Sequence, residues 1–428
     1  MKTAMTKLLS GATVMCAAVI GAYAQPLPIY TMAGHDAPGS ADGFSSYARF
    51  NSAMGVTADS AGNIYVVDTG NGTIRKVTPD GHVSTLAGSA GNFGSANGTG
   101  TSARFFAPQG ITVDYIGTIY VADTANATIR KVSAAGLVAP FAGSVSNYNS
   151  FDGTGANANF YQPEGLAVDA NRNVYVADAW NHTIRKITSL GVVTTLAGLA
   201  GNPGSVDGGT NKARFNRPSG IAVDTATNLF VTDSLNHTIR KITPDGVVTT
   251  IAGLAGVWGS ADGTNSASRF FLPQGIALVN ATNLVVVDSG NQTLRTISPS
   301  GTNWVVATVA GLTGNAGSAN GVGSAAQFEF PAGLTTDSAG YLYVADPGNN
   351  EIRTTRVVPP TLNYSVFMSG PSISWPVSAS AFVLESTGSL MPGAIWVPQT
   401  NGIMMSGDEF VLALSVTNSA AFYRLHGP

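Results

Sequence analysis

Acidic and basic residues recur in this sequence at one fixed spacing, and they are the first candidates for chemistry. An aspartate is followed seven residues later by an arginine in six places, and successive aspartates stand 55 or 58 residues apart. The six pairs are Asp68/Arg75, Asp123/Arg130, Asp178/Arg185, Asp233/Arg240, Asp288/Arg295 and Asp346/Arg353. A site rarely needs six identical copies. We therefore predict that each aspartate closes a hairpin and holds its arginine in a charge-assisted pair.

Histidine is scarce, and two of the five histidines occupy the same position in adjacent repeats. His182 and His237 each stand within Asn-His-Thr. The other repeats have Gly72, Ala127, Gln292 and Asn350 there. A zinc site needs a third ligand at about 2.0–2.1 Å, and equivalent positions of neighbouring repeats stand too far apart to share one ion. We predict polar loop residues here rather than metal ligands.

One acid or amide precedes glycine in each long loop between repeats, as in Asp152-Gly and Asp207-Gly. A calcium loop needs several oxygen-bearing side chains at alternating positions. The loops lack that pattern, so we predict Asx turns at these residues. The sequence also shows no Ser/His/Asp or Cys/His combination that would point to nucleophilic catalysis.

The elements that position these residues are short strands. Between Gly165 and Gly220, four short β-branched or alternating segments are separated by turn residues, so each repeat predicts four antiparallel strands, a to d. A long Gly-rich loop joins strand d to the next strand a. We predict that one phenylalanine per loop is buried and anchors it: Phe50, Phe105, Phe160, Phe215, Phe270 and Phe328.

The first and last repeats are incomplete in complementary ways, which predicts that the repeats close into a ring. The first Ala-Gly strand end, at Ala33, has no hairpin before it, and the last hairpin, at Tyr343, has no Ala-Gly after it. We predict that residues 29–34 become strand d of the last repeat by pairing with residues 351–357. A ring closed in this way leaves no large exposed sheet edges.

The repeats resemble the NHL-repeat family of β-propellers. Pro218-Ser-Gly-Ile-Ala-Val-Asp224 and Phe230-Val-Thr-Asp-Ser-Leu-Asn-His-Thr-Ile-Arg240 match its signature, and the resemblance covers about residues 29 to 357. It implies an all-β, six-bladed propeller of NHL type with the N-terminal strand closing the last blade. Propellers of this kind bind proteins, RNA or sugars, and some are lyases or lactonases, so the resemblance does not decide function.

Two regions of such a propeller are candidate sites. The residue between proline and glycine at the start of strand a lines the central channel, where Glu164 is the only acid and Gln109 and Gln274 are amides. A metal-dependent lactonase or lyase using Glu164 with these amides, or with His182 or His237, is the alternative function. One glutamate and two glutamines are few ligands for a divalent metal, and we expect no cofactor.

The second region is the face that carries the d–a and b–c loops. Tyr148, Trp180, Leu235 and Trp258 are variable positions there. Exposed aromatic rings beside amide and hydroxyl groups suit a glycan or a peptide. The ligand-binding candidates are therefore Trp180, His182, Leu235, His237, Trp258, Tyr148, Glu164, Gln109 and Gln274.

The ends of the chain differ from the repeats. Residues 1–24 read as a signal peptide, with Lys2 and Lys7 before an apolar run. Residues 25–357 form the predicted propeller. Residues 358–428 read as short strands around an aromatic core, similar to a small β-sandwich module common in exported proteins of verrucomicrobia-like bacteria. Three extra residues lengthen the c–d turn of the fifth repeat, and we predict that Trp304 there packs against this module.

The charge of the chain argues against a nucleic-acid partner, and its hydropathy argues against a membrane-spanning helix after the signal peptide. Without Lys2 and Lys7, 19 basic residues stand against 24 acidic ones, which argues against nucleic acid. No later apolar stretch approaches the ~20 residues that a spanning helix needs. The leading hypothesis is a monomeric protein exported to the periplasm or surface of a bacterium. It would bind a protein or glycan as a binding or scaffold module.

Overall fold

The fold is all-β across the residues that the structure describes. The computed structural model describes residues 25–357, 363–367, 370–376, 382–387, 394–406, 409–414 and 422–426. The predicted signal peptide lies outside them. The only helical segments in this part of the chain are ten 3-10 helices of three residues: Ser45–Tyr47, Thr69–Asn71, Gly100–Ser102, Thr124–Asn126, Gly155–Asn157, Ala179–Asn181, Ser234–Asn236, Asn265–Ala267, Ser289–Asn291 and Gly323–Ala325. None of the described helices is long and apolar enough to cross a membrane.

Six sheets follow the repeat, and each has four antiparallel strands in the order a, b, c, d from the centre outward. Sheet 1 contains Ala53–Ala58, Ile64–Asp68, Thr73–Val77 and His82–Gly88. Sheet 2 contains Ile111–Val113, Ile119–Asp123, Thr128–Val132 and Leu137–Ala142. Sheet 3 contains Pro163–Val168, Val174–Asp178, Thr183–Ile187 and Val192–Gly198.

The other three sheets repeat this order. Sheet 4 contains Pro218–Val223, Leu229–Asp233, Thr238–Ile242 and Val248–Gly253. Sheet 5 contains Pro273–Leu278, Leu284–Asp288, Thr293–Ser300 and Asn303–Ala310. Sheet 6 contains Leu334–Thr336, Leu342–Asp346, Glu351–Thr354 and, as its strand d, Pro28–Gly34.

The long loops add a feature that the sequence did not reveal. In five sheets a two-residue strand from the preceding loop pairs with the outer strand d. These strands are Gly43–Phe44, Gly98–Thr99, Gly153–Thr154, Gly263–Thr264 and Gly321–Val322. In sheet 4 a single bridge between Gly208 and Val248 takes this place. Each loop therefore covers the outer edge of the following sheet, an edge that would otherwise offer unpaired backbone groups.

Strand b is buried along its whole length in every sheet, which differs from the alternation that the sequence suggested. In sheet 3, Val174 and Val176 join an apolar cluster with sheet 2, whereas Tyr175 and Ala177 join a cluster with sheet 4. Both faces of the strand are therefore core. The anchoring phenylalanines, such as Phe160, lie in the same clusters and are fully buried, as predicted.

The six sheets form a closed cycle. Each apolar cluster joins two neighbouring sheets, and one cluster joins sheet 6 to sheet 1 through Tyr343, Met32 and Val56. The predicted pairing of the N-terminal strand is present, with Tyr30 opposite Thr354. Strand c of sheet 6 ends at Thr354, three residues earlier than predicted. This arrangement is consistent with a β-propeller.

The centre of the cycle is a narrow channel whose wall is fixed by glycine. At the start of strand a, the Cβ of any other residue would lie less than 3.0 Å from a carbonyl oxygen of the next sheet. The six contacts are Gly55 with Gln109, Gly110 with Glu164, Gly165 with Ser219, Gly220 with Gln274, Gly275 with Ala332 and Gly333 with Met54. The channel has a volume of about 90 Å³, which admits a few water molecules.

The described C-terminal residues form two further sheets. One contains Asn363–Phe367, Gly370–Pro376, Glu409–Ala413 and Ile403–Ser406, and the other Val397–Pro398, Val383–Thr387 and Phe422–His426. Trp375 from the first and Leu384 from the second are buried in one apolar cluster. The ring of Trp304, expected to pack against this region, lies edge-on to Phe230, with the ring centroids 6.0 Å apart. The extra residues before it lengthen strands c and d of sheet 5.

Replacing Gly165 with alanine tests the channel contact. The new methyl group would collide with the carbonyl of Ser219, and we expect Gly165→Ala to lower the free energy of unfolding by about 1–3 kcal/mol. Gly209 is the matched control, because nothing lies within 4 Å of a Cβ built there. Denaturant unfolding of both variants measures the difference. Equal stabilities would show that the strands can move apart at no cost.

Glu351 makes the seam between sheet 6 and its N-terminal strand sensitive to pH. It accepts a hydrogen bond from Thr31 at 3.1 Å, and the other sheets have threonine at its position. Burial raises the pKa of Glu351 from 4.5 to about 7. The folded state therefore holds this proton more tightly than the unfolded state, and stability falls as pH rises through the folded pKa.

We expect the parent to lose about 2–3 kcal/mol more stability than Glu351→Thr when the pH rises from about 5 to about 8. The difference between the two proteins isolates Glu351 from other groups that titrate in this range. Unfolding by denaturant at both pH values measures it. Parallel pH profiles for parent and variant would contradict this role of the seam.

Candidate functional site

The aspartate of each hairpin is fully engaged in structural bonds. In sheet 3, Oδ2 of Asp178 accepts from Nη1 of Arg185 at 2.9 Å and from Nδ2 of Asn181 at 2.8 Å. Its Oδ1 accepts from the backbone N–H of Tyr161 at 2.7 Å. Burial raises the pKa of Asp178 to about 6, while these bonds oppose the rise. The carboxylate ties the hairpin to the long loop and has no oxygen left for a ligand.

The same ion pair occurs in all six sheets, with N···O distances of 2.7 to 3.0 Å. Each arginine also stacks over the anchoring phenylalanine; Cζ of Arg185 lies 5.3 Å from the ring centroid of Phe160. Because the geometry is repeated without change around the cycle, these pairs build the fold and distinguish no sheet from another.

The arginines form the predicted pairs and also make bonds outside the hairpin. Each guanidinium is buried, and it reaches past its aspartate to the long loop, where Nη2 donates to the acid or amide that precedes glycine, at 2.6 to 2.9 Å. Nη1 also donates to a backbone carbonyl before the anchoring phenylalanine. The six donor and acceptor residues are Arg75 with Asp42, Arg130 with Asn97, Arg185 with Asp152, Arg240 with Asp207, Arg295 with Asp262 and Arg353 with Asn320.

Burial is the physical reason for these additional bonds. A guanidinium carries five N–H donors, and one carboxylate oxygen cannot satisfy them away from water. Each arginine therefore collects acceptors from the hairpin and from the loop, and it joins the two. None of the six arginines is exposed to a ligand.

The loop aspartates, predicted to form Asx turns, bind strands c and d. Besides binding Arg185, Asp152 accepts from the hydroxyl of Thr195 at 3.0 Å. Asp207 and Asp262 make the equivalent bonds in sheets 4 and 5. A single acid thus attaches each of these loops to strands c and d, and this explains its recurrence without calcium.

His182 and His237 connect neighbouring sheets. Nδ1 of His182 accepts from the backbone N–H of Arg217 at 3.1 Å, and Nδ1 of His237 accepts from that of Leu272 at 3.3 Å. Burial lowers the pKa of both imidazoles. Arg217 and Leu272, whose N–H groups bind the two histidines, have positive φ, a conformation that is uncommon outside glycine. The histidines therefore position the loop that enters the next sheet.

Glu164 and Arg217 form an ion pair on the channel. Both Nε and Nη2 of Arg217 donate to Oε1 of Glu164, at 3.2 and 3.1 Å. Glu164 is only 8% exposed and lines the channel. Burial raises its pKa, whereas the guanidinium lowers it. The side chain of Arg217 is 41% exposed, so the pair links the channel wall to the surface.

A row of aromatic rings extends from this ion pair. Cζ of Arg217 lies 5.6 Å from the ring centroid of Trp180. Trp180 lies 5.8 Å from Tyr161, and Tyr161 lies 5.4 Å from Tyr148, between ring centroids. Trp180 and Tyr148 are 44% and 48% exposed. We call Glu164, Arg217, Trp180, Tyr161 and Tyr148 the sheet 3 row.

A separate aromatic group lies on the following loop. Trp258, which is 64% exposed, lies 5.1 Å from Phe271 between ring centroids, and Phe271 lies 5.9 Å from His237. Leu235 is exposed in the b–c loop of sheet 4. Gln109 and Gln274 line the channel with Glu164. The structure thus brings His182, Trp180 and Tyr148 near Glu164 through Arg217 and Tyr161. Gln109 and Gln274 share the channel wall with Glu164, whereas Leu235, His237 and Trp258 lie on another part of the face.

Arg217, Tyr161 and Phe271 were missed in the sequence. They occupy the two positions between the anchoring phenylalanine and the proline of strand a. The second position has positive φ in all six repeats: Ser52, Ala107, Gln162, Arg217, Leu272 and Phe330. Arg217 is the only charged residue of that set. This departure from the repeat was the available signal.

The side chains of the channel do not fit a divalent metal. Among the described residues that line the channel, Glu164 is the only carboxylate. Its Oε1 accepts from a guanidinium whose positive charge would repel a cation. The Nδ1 atoms of His182 and His237 already accept backbone hydrogen bonds. Across the described ranges, no three His, Cys, Asp or Glu side chains cluster in a way that could hold a metal ion.

Comparison with known proteins agrees with the repeat architecture. The NHL repeat model matches residues 160–187 and 215–242, so the chain carries NHL repeats. NHL repeat-containing protein 2 of Bos taurus is 28% identical over 366 residues, which cover 74% of this chain and 49% of the bovine protein. The chain therefore spans about half the length of that relative.

Two further proteins are similar to parts of this chain. A probable peptidyl-alpha-hydroxyglycine alpha-amidating lyase of Caenorhabditis elegans is 30% identical over 143 residues, 32% of this chain and 37% of the lyase. The crystal structure of an auxiliary nutrient binding protein from Bacteroides ovatus matches with a TM-score of 0.58 and 15% identity, over 77% of this chain and 76% of that one. At that identity the likeness shows the fold alone.

Alanine substitutions at Asp178 and Asp152 compare the contributions of a buried and an exposed partner of Arg185 to stability. We expect Asp178→Ala to cost about 3–5 kcal/mol of stability, because Arg185 stays buried without its partner. Asp152 binds the same arginine, but its side chain is 49% exposed, and Asp152→Ala should cost about 1 kcal/mol or less. Thermal and denaturant unfolding compare the two. Similar losses of stability in the two variants would show that the buried ion pair contributes no more than the exposed one.

Proposed function

We propose that the chain is an exported binding protein: a six-bladed NHL propeller, residues 25–357, closed by its N-terminal strand and followed by a small β-sandwich, residues 358–428. Residues 1–24 would direct export to the periplasm or cell surface of a bacterium. The ligand is a protein or a glycan and binds on the face of the long d–a and b–c loops. The sheet 3 row carries this proposal.

The exposure of the rings supports a binding face. Trp180, Tyr148 and Trp258 leave large apolar areas in water at places where the repeat accepts small residues. Glycine stands at the position of Trp180 in three other sheets, as Gly70, Gly290 and Gly348. Exposed aromatic side chains with polar neighbours are typical of ligand sites. The exposed rings lie on the loop face, so the ligand would rest over the channel mouth.

Three further points belong to the proposal. The acidic balance of the chain disfavours nucleic acid as a partner. The outer sheet edges are covered by the loop strands, which supports a monomer without edge-to-edge pairing. The likeness to a nutrient binding protein is in keeping with capture of a ligand outside the cytoplasm.

The alternative is a metal-dependent lactonase or lyase with its site at the channel mouth. The partial similarity to a lyase favours it, whereas the pairing of Glu164 with Arg217 opposes it. Metal analysis of the purified mature protein distinguishes the two functions. One bound divalent ion per chain would favour the enzyme and overturn the binding proposal as stated.

Arrays of glycans and peptides test the binding face. We expect the parent to bind a member of one class and the Trp180→Ala, Trp258→Ala double variant to bind it at least about tenfold more weakly. Leu190→Ala is the control, because Leu190 is 84% exposed on a c–d turn and belongs to neither aromatic group. Equal binding by parent and double variant would remove the loop face as the site.

A further inference from the structure

The inner end of the sheet 3 row offers one donor and one acceptor side by side. Two nitrogens of Arg217 bind a single oxygen of Glu164, Oε1. Within the part of the chain that the structure describes, Oε2 of Glu164 and Nη1 of Arg217 make no hydrogen bond. A carboxylate oxygen can accept from a hydroxyl, and a guanidinium nitrogen can donate to one. The pair is thus suited to two adjacent hydroxyl groups.

The pair has no excess charge to offer. Glu164 and Arg217 neutralise each other at about 3 Å. An acidic ligand would have to compete with Glu164 for the guanidinium, and a basic ligand would have to compete with Arg217 for the carboxylate. A neutral ligand with several hydroxyls meets neither cost, because it can satisfy both free atoms and leave the ion pair intact.

The rest of the row is a series of ring surfaces at nearly even steps. From Trp180 to Tyr161 and on to Tyr148, the ring centroids are 5.8 and 5.4 Å apart, about the length of one hexose unit. Pyranose rings place their apolar C–H face on aromatic rings, with hydroxyl groups pointing to the side. Each ring of the row is partly exposed, and the row begins at the two free hydrogen-bonding atoms.

We propose that the sheet 3 row binds a neutral oligosaccharide. One pyranose lies against Trp180, two of its neighbouring hydroxyls bond Oε2 of Glu164 and Nη1 of Arg217, and the following sugars lie over Tyr161 and Tyr148. The inference rests on the proposed function, because it names the ligand class of the same face. It also assigns Arg217 and Tyr161 to the site.

A peptide fits this row less well. An extended peptide gains its affinity from an open sheet edge or from pockets for side chains. The outer edges of the six sheets are covered by the loop strands and by the bridge between Gly208 and Val248. The charged termini of a peptide would also meet a pair that is already neutral.

The site is held in place before a ligand arrives. Arg217 has a φ of +54°, and its backbone N–H donates to Nδ1 of His182. Its guanidinium lies between Glu164 and the ring of Trp180. His182 is therefore a positioning residue, and a rigid donor reduces the entropy lost on binding.

The repeat supplies variants that preserve the fold. Glutamine stands at the position of Glu164 in sheets 2 and 5, as Gln109 and Gln274, and leucine stands at the position of Arg217 in sheet 5, as Leu272. The double variant Glu164→Gln, Arg217→Leu therefore leaves no buried unpaired charge. It removes the donor and keeps a positive-φ residue that this fold already accepts.

The experiment compares the full mature protein with its variants on neutral glucan, mannan and xylan oligosaccharides, on polyuronate and sulfated oligosaccharides, and on peptides. We expect the parent to bind a neutral oligosaccharide with little dependence on salt. Trp180→Ala and the double variant should each weaken this binding at least about tenfold with the melting temperature near that of the parent. Leu190→Ala, on a c–d turn and outside both aromatic groups, should bind as the parent does.

The other outcomes decide between the two proposals. Binding of a peptide or an acidic glycan that depends on Trp180 or Trp258 would support the loop face and overturn the neutral-sugar inference. Binding of a neutral sugar that survives both row variants would overturn the row as its site. A parent that binds nothing in the three sets would overturn the inference and the binding proposal together.

Discussion

The close approach of neighbouring sheets at the channel is the constraint on which this structure depends. At six equivalent positions the chain has glycine because the carbonyl of the next sheet occupies the space of a side chain. Gly333 closes the series by donating its N–H to the carbonyl of Met54 at 2.8 Å. Each sheet is thus fixed against the next at its innermost strand, and the apolar clusters farther out have only one way to pack. The same approach keeps the channel narrow.

Around this fixed centre, the residues found in every repeat and the residues that depart from the repeat have different roles. The aspartate, asparagine and arginine of each hairpin form one buried unit that attaches the long loop, and their geometry barely changes between sheets. The exceptional residues lie where this frame meets water. Arg217 is charged where its counterparts are apolar or polar, and Trp180 is large where Gly70 and Gly290 are small. The frame supplies rigidity, and the exceptions give one sector of the face its own chemistry.

Much of the fold could be predicted from the sequence because the repeat averages out local ambiguity. The burial of Phe160 and its counterparts and the pairing of the N-terminal strand both follow from counting repeated elements. The burial of strand b on both faces could not be predicted, because Tyr175 and Ala177 pack on a sheet that begins more than forty residues later. The contact of Arg217 with Glu164 was also hidden. It joins two repeats, and no single repeat shows which side chain crosses to its neighbour.

The N-terminal strand has a consequence for how the molecule is made. Thr31 meets Glu351 across 320 residues of chain, so a strand that is synthesised before the six-sheet repeat finds its partner only after the repeat is complete. Contacts of such separation carry a large loop-closure entropy and slow folding. Five sheets can form in order from local hairpins, but the sixth must wait until both ends are present. An interrupted or truncated chain would therefore accumulate as an open arc with two apolar faces, and quality control has a distinct surface by which to recognise it.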